Sequence, residues 1–402
     1  MRNLLTANQV AARLGVQLKT VYAYVSRGVL ERKLADDGKT SLFDAGAVDR
    51  LALRGRPRRD NRQLGSVDVS LATSITCIEA DRLLFRGRDV RTLVTQSFEA
   101  VAELLWSGTL PEHSEWPAAS DDDVRALSFG LPKTSPATER LAAVTAVSAC
   151  KQLLRVDLRP SAVMQHGRNL LVTLVDCLPL LAADPPKPAR RAQRLAVRLW
   201  PRVSSLPATT ARTDCLNTAL VLLADHELAT STFAARVAAS TRADPFAVVL
   251  AGMGAVSGPL HGKAALAVHE LLIAARSTGQ PERVVANAVS RGFMPGFGHP
   301  VYRGIDPRAE CLSARLLPLV KRSDQAIVDR VCNAAKATSE FEPNVDFALG
   351  YFAFALDMPL GASEAIFVLA RTAGWIAHAL EEYGERALRF RARALYIGAR
   401  ER

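Results

Sequence analysis

The sequence predicts an all-α protein, a large helical core with a small basic module ahead of it. Three observations carry this. Apolar residues recur at helical spacing over most of the chain beyond residue 62, as in Phe98–Leu105, Thr138–Leu153, Gln193–Trp200 and Leu216–Leu223. Alternating, strand-like runs are few and short, around Ser70–Ile78. Positive charge gathers at one end: residues 1–62 hold 13 Lys and Arg against 6 Asp and Glu, and the other 340 hold 38 against 34. The net charge of +11 therefore divides into +7 and +4, with a boundary at the basic run Arg54-Gly-Arg-Pro-Arg-Arg59.

Composition excludes several classes. A chain of 402 residues, 49% hydrophobic and 23% charged, is neither disordered nor a disulfide-stapled miniprotein. The six cysteines are never closer than 21 residues, so no zinc spacing exists and reduced thiols in a cytoplasmic protein are expected, with no metal. The N-terminus lacks the apolar stretch of a signal peptide. The longest charge-free apolar stretch, Phe246 to Leu260, is too short for a membrane span.

The module reads as a winged helix-turn-helix over residues 1–55, followed by a basic linker over 56–65. Thr6 and Gln9 form a capping box for a helix carrying Val10, Ala11 and Leu14, stopped by Gly15. A second helix buries Val21 and Val25 and ends at Gly28. Asp36-Asp37-Gly38 marks a hairpin turn between Arg32–Ala35 and Ser41–Phe43, and Asp44 caps a third helix with Val48 and Leu51. The stretch LLTANQVAARLGVQLKTVYAYVSRGVLERK resembles the DNA-binding domains of MerR-like and excisionase-like regulators. In that reading Lys19, Thr20, Tyr22 and Ser26 face the major groove, Arg27, Lys33 and Lys39 approach phosphates, and residues 1–62 have DNA as partner. The bland alternative is a basic docking module that never touches DNA.

Seven histidines make a full census practical. His113 and His166 lie in polar stretches, His269 falls on the helix after Gly262 and His378 lies off the Ala370–Ala377 stripe, and all four read as surface or satisfied core residues. The other three sit in unusual settings: Ala224-Asp-His226-Glu, Gly258-Pro-Leu-His261-Gly and Gly296-Phe-Gly-His299-Pro. Gly258-Pro259 breaks a small-residue helix ending near Val256, and a new helix starts near Gly262. His261 thus stands at a helix N-terminus, where the dipole disfavours imidazolium and a neutral ring can donate to an oxyanion. Gly296 and Gly298 allow close backbone approach beside His299. Asp346, in Asn344-Val-Asp346-Phe, is an acid flanked by apolar residues. Arg371 lies among small and apolar residues, where an unpaired guanidinium is costly and an anionic ligand would supply its partner.

At these residues the chain resembles the citrate synthase family. The matching strings are DRLLFRGRDV, FEAVAELLWSGTLP, LLADHELATSTFAARVAAST, GPLHGKAALAVHELL, GFGHPVYRGIDPRAE, NVDFALGYFAFAL, ARTAGWIAHALEE and RARALYIG, in the family's order from about Ser66 to Gly398. The resemblance implies the citrate synthase fold, with a large domain over 66–262 and 355–402 and a small domain over 263–354. It implies a homodimer that condenses acetyl-CoA or propionyl-CoA with oxaloacetate, with no cofactor beyond the acyl-CoA substrate. By position, Asp346 would abstract the methyl proton and His261 would stabilise the enol or enolate. His299, with Arg308, would polarise the ketone. His226, Arg308 and Arg371 match carboxylate-binding positions, Arg391 matches the arginine given to the partner subunit, and Arg303 lies where coenzyme A is met. The chain departs from the pattern at Pro300, Lys263 and Ala392, and in reading DHELATST for DHELNAST. The alternative function is a DNA-binding regulator whose synthase-like core senses a metabolite.

Overall fold

The computed structural model describes residues 4–14, 16–26, 30–35, 40–48, 69–79, 81–117, 119, 121–128, 130–132, 134–181, 194–258, 261–292, 294–299, 301–302, 304–338 and 342–391. They form two compact units, Met1–Thr73 and Ser74–Arg402. The linker expected at 56–65, Gly15, Arg27, Gly28, the Asp36–Gly38 turn, Lys39, Leu51, Pro300, Arg303 and Ala392 lie outside the described residues.

The first unit holds β1 (Leu4–Thr6), α1 (Ala7–Leu14), α2 (Leu18–Ser26), β2 (Lys33–Leu34) and β3 (Ser41–Asp44), the strands antiparallel in the order β1-β3-β2. The capping box is formed: Gln9 Oε1 accepts from the Thr6 N–H at 2.8 Å, and Thr6 Oγ1 accepts from the Gln9 N–H at 3.4 Å. The Ala35 N–H donates to Thr40 O, closing the hairpin, and Asp44 Oδ1 accepts from the Ala47 N–H to start a helical turn at 45–48. Val10, Val21, Leu30, Phe43 and Val48 make a small core. On α2, Lys19 and Tyr22 are exposed and Thr20 is half-buried.

The second unit opens with a sheet of which only β4 overlaps the strand-like run expected around Ser70–Ile78: β4 (Thr76–Glu79), β5 (Arg82–Phe85) and β6 (Arg88–Asp89), antiparallel in that order. Their two-residue turns leave runs too short to show a period. Helices then follow: α3 (Val90–Leu93), α4 (Phe98–Ser107), α5 (Asp121–Ser128), α6 (Ala137–Lys151), α7 (Pro160–Asp176), α8 (Leu195–Val203), α9 (Thr210–Leu223), α10 (Thr230–Ser240) and α11 (Pro245–Val256). The last six are α12 (Ala264–Thr278), α13 (Pro281–Ser290), α14 (Pro307–Leu316), α15 (Arg322–Thr338), α16 (Val345–Ala355) and α17 (Ala362–Tyr383). Helix α6 ends at Lys151, earlier than expected, and Leu153 stands 92% exposed beyond it.

Helix α17 is apolar almost all round, which suits only a helix at the centre of a large core. Helices α4, α6, α7, α9, α10 and α11 pack around it. A second group, α12 to α16, packs on itself, with α12 and α14 both against α16. Caps fix the helix starts that matter for the site. Asp306 caps α14, with Pro307 at its first position, and Asn344 caps α16 by accepting from the Asp346 and Phe347 N–H groups. Among the described residues no helix is long and apolar enough to cross a membrane, and no cluster of His, Cys, Asp or Glu could hold a metal ion. All six cysteines are free thiols.

Candidate active site

Backbone contacts bring the histidine and carboxylate loops together. The Gly298 N–H donates to Glu342 O, the Asn344 N–H donates to Gly296 O, both at 2.9 Å, and Asn344 Nδ2 donates to Gly298 O at 2.7 Å. The turn bearing His299 is thereby docked on the segment that starts α16 and presents Asp346. Gly296 has φ +77°, and a Cβ there would meet Val268 at 2.6 Å and Phe347 at 2.8 Å, so this docking demands glycine.

His299, His226, Tyr302 and Arg308 form one cluster. The ring centroids of His226 and His299 lie 5.2 Å apart, and Tyr302 Oη is 3.0 Å from His226 Nε2. His299 Nδ1 accepts from the Val301 N–H at 3.1 Å. His299 Nε2 lies 3.2 Å from Arg308 Nη2, and a guanidinium can only donate, so both ring nitrogens face N–H groups. The imidazole edge and the guanidinium meet in one space, an arrangement suited to a ligand oxygen. Burial, reinforced by Arg308, holds His299 at a pKa of about 4, and burial with Arg308, Arg371 and His299 holds His226 well below the usual range.

Arg308 is buried, and Asp306 holds it by bonds to Nε at 3.0 Å and Nη2 at 2.9 Å. Arg371, also buried, donates from Nε to Leu223 O at 2.9 Å and lies 4.7 Å over the Phe367 ring. It makes no ion pair among the described residues. Burial lowers its pKa only to about 10, so it stays charged. His261 sits 5.8 Å from the same ring, with Nε2 2.9 Å from the buried Ser231 Oγ. Burial, then Arg371, lowers the His261 pKa to about 4. The three ring systems are neutral near pH 7.

Asp346 shares the field of Arg308 and Arg371. Burial raises its pKa to about 6; Arg308 and Arg371 pull it down and Asp306 pushes it up. Among the described residues no group hydrogen-bonds to its carboxylate. A half-buried carboxyl of this kind, ionised at neutral pH yet poorly solvated, is a competent base.

His226, His261, His299, Asp346, Arg308 and Arg371 are thus linked by direct contacts or shared electrostatics. Arg391 is exposed at the end of the described chain. His378 is a satisfied core residue, bonded to Asp225 and Arg236. His166 is likewise a satisfied core residue on helix α7, buried against Phe246 with Nε2 3.3 Å from Leu154 O. Ser231, Tyr302 and Asp306 join the cluster without having been assigned roles from sequence. Only their place in LADHELATST and GHPVYRGIDPRA could have drawn attention to them.

A family model described as "Citrate synthase, C-terminal domain" matches residues 67–393. The chain belongs to the citrate synthase family. It is 30% identical over 344 residues to the citrate/2-methylcitrate synthase of Bacillus subtilis, covering 80% of this chain and 92% of that one. It is 29% identical over 357 residues to 2-methylcitrate synthase 2 of Corynebacterium glutamicum, covering 82% and 92%. Among solved structures, the Thermoplasma acidophilum citrate synthase in ternary complex with carboxymethyl coenzyme A and oxaloacetate aligns with TM-score 0.67 at 25% identity, covering 84% of this chain and 95% of that one. The Thermotoga maritima citrate synthase aligns with TM-score 0.66 at 26% identity, covering 82% and 94%. The chain is an enzyme of the citrate synthase type.

Proposed function

We propose that this enzyme condenses acetyl-CoA or propionyl-CoA with oxaloacetate, giving citrate or 2-methylcitrate and coenzyme A. The observation that carries the reading is the pairing of Asp346, a carboxylate with no hydrogen bond among the described residues and a pKa of about 6, with neutral His261 and His299 in the field of two buried guanidiniums. An α-proton of a thioester is only weakly acidic, so base and oxyanion donor must act together, each worth roughly a hundredfold or more. Asp346 takes the proton while His261 donates from Nδ1 to the thioester oxygen, its Nε2 accepting from the Ser231 hydroxyl. The enol or enolate carbon attacks the oxaloacetate ketone, whose oxygen receives the Nε2–H of His299 and a guanidinium N–H of Arg308. Water then hydrolyses the thioester and releases coenzyme A.

Arg308, Arg371 and His226 bind the oxaloacetate carboxylates, with Arg391 reaching the partner's site in a homodimer. Arg303 meets coenzyme A. In this reading the core divides into a large domain, 66–262 and 355–402, and a small domain, 263–354, that closes over the substrates in a cytoplasmic enzyme without a further cofactor. Release of thiol is measured with oxaloacetate and each acyl-CoA in parallel. A folded protein that binds oxaloacetate yet releases thiol from neither overturns the reading.

A second role rests on a different observation: α2 exposes Lys19 and Tyr22 opposite the buried Val21, in a segment of net charge +7. We propose that residues 1–62 bind DNA through Lys19, Thr20, Tyr22 and Ser26. Retardation of duplex fragments at low salt, lost in Lys19→Glu, tests it; no retardation by the full chain rejects it.

A further inference from the structure

Beyond the groups that meet substrate, a chain of buried polar side chains crosses the core. It begins at Asp225, the residue before His226. Asp225 is fully buried, and its Oδ2 accepts from Thr76 Oγ1 at 2.5 Å and lies 3.2 Å from His378 Nε2. His378 Nδ1 lies 3.0 Å from Arg236 Nη1. A guanidinium can only donate, so Nδ1 is bare and the ring proton sits on Nε2, donating to Asp225. Arg236, also fully buried, donates from Nε to Glu382 at 3.0 Å and from Nη1 to Glu381 at 2.6 Å. Glu382 in turn holds Arg389 by two bonds of 2.7 and 2.6 Å. Arg389 stands two residues before Arg391.

The same stretch is pinned to α17 at three successive residues. Leu223 O accepts from Arg371 Nε, Ala224 O accepts from the Gly374 N–H at 3.0 Å, and Asp225 meets His378. A Cβ on Gly374 would meet Ala224 O at 2.4 Å and Asp225 Oδ1 at 2.5 Å, so the helix lies as close to this segment as backbone allows. Nothing in the condensation chemistry uses Asp225, His378 or Arg236. Yet charges buried this deeply are costly unless paired or hydrogen-bonded, and these are linked in series from the His226 segment to the C-terminal segment, with only Asp225 Oδ1 and Arg236 Nη2 lacking a hydrogen-bond partner among the described residues.

We infer that Asp225, His378 and Arg236 are positioning residues, a buried relay that sets the place of His226 and joins it to the segment bearing Arg391. The inference rests on the reading of His226 and Arg391 as oxaloacetate-binding residues. Both ends of the relay then serve the keto acid and neither serves the acyl-CoA. Disturbing the relay moves one substrate's binding and spares the other's, which general loosening of the core does not do.

The test measures KM for oxaloacetate and for the acyl-CoA separately in the full-length enzyme and its His378→Leu, His378→Gln and Arg389→Ala variants. His378→Leu raises the oxaloacetate KM about tenfold, equivalent to ~1.4 kcal/mol, with the acyl-CoA KM within about twofold. His378→Gln, whose amide can donate to Asp225, recovers most of the loss. Arg389→Ala, at the partly exposed end, raises the oxaloacetate KM severalfold. Equal changes in both KM values, or a glutamine variant no better than leucine, overturn the relay. Should the leucine variant fail to fold, an unchanged oxaloacetate KM in Arg389→Ala overturns it alone. A double-mutant cycle on melting temperature between Asp225→Asn and Arg389→Ala needs no substrate and separates the two readings. Coupled shifts in a protein that neither turns over nor binds oxaloacetate retain the relay and reject the proposed function; additive shifts reject the relay.

Discussion

The Val345 N–H donates to Asp306 Oδ2 at 3.0 Å, fastening the start of α16 to the start of α14. The same carboxylate caps α14 and grips Arg308, so one buried anion sets the spacing between Asp346, the proposed base, and the guanidinium beside it. In Asp306→Asn, Arg308 keeps a buried charge without its anion. Breaking such a pair costs about 3–5 kcal/mol, and the retained amide acceptor places this variant near the lower bound. Because Asp306 pushes the Asp346 pKa up, its neutralisation also lets that pKa fall. Chemical denaturation reads the first effect, and a shift of the acid limb of the rate profile to lower pH reads the second.

In the unaltered enzyme, kcat/KM for the acyl-CoA should rise with pH through about 6 and then level off, because Asp346 must lose its proton to act. His261 and His299, with pKa values of about 4, are already neutral there and add no limb. A plateau extending unchanged down to pH 5 would contradict the assignment of Asp346 as base.

Asp346→Asn removes the base while preserving shape. Turnover should fall by roughly 10²–10⁴, with little change in the affinity for oxaloacetate by calorimetry. His269→Gln serves as control. His269 is buried in α12, and its substitution should alter melting temperature more than turnover per folded molecule.

Gly374→Ala tests the contact between α17 and the 223–225 segment. Its Cβ would press on a backbone carbonyl and on Asp225, and overpacking of this kind costs about 1–3 kcal/mol. The loss should appear in thermal unfolding together with a raised oxaloacetate KM.

Acid should destabilise the fold well above the usual carboxylate range. The unfolded chain protonates its histidines near pH 6.5, whereas His261, His269 and His299 are held at about 4 in the folded state. Between those values the unfolded state binds more protons, so stability drops as pH falls from about 6.5 toward 4. Asp346, raised to about 6, binds its proton in the folded state first and offsets one histidine only. Melting temperatures across this range, with His269→Gln losing part of the slope, check the sign.

Much of this was legible in the residues. The helical period located α4, α8 and α9, and Gly258, just past the end of α11, and Asp44 marked real ends of elements. The motifs around His226, His261, His299 and Asp346 identified the histidines and the acid that come together. What escaped was short or indirect. Strands β5 and β6, of four and two residues, are too brief for alternation to register, and only β4 overlaps the strand-like run expected around Ser70–Ile78. Ser231, Tyr302 and Asp306 are ordinary polar residues in sequence, and each matters only through a neighbour brought from elsewhere.

Local chemistry by itself determined the basic N-terminal module, the helical core and the residue types able to do the chemistry, because period, caps and motif spacing are properties of neighbours along the chain. Only the tertiary structure decided the protonation states. His261 and His299 are neutral and Asp346 is a weakened acid because distant helices exclude water and place Arg308 and Arg371 beside them. The same packing decided that Asp225 and Arg236, unremarked as charges in the sequence, are joined through His378 across the core.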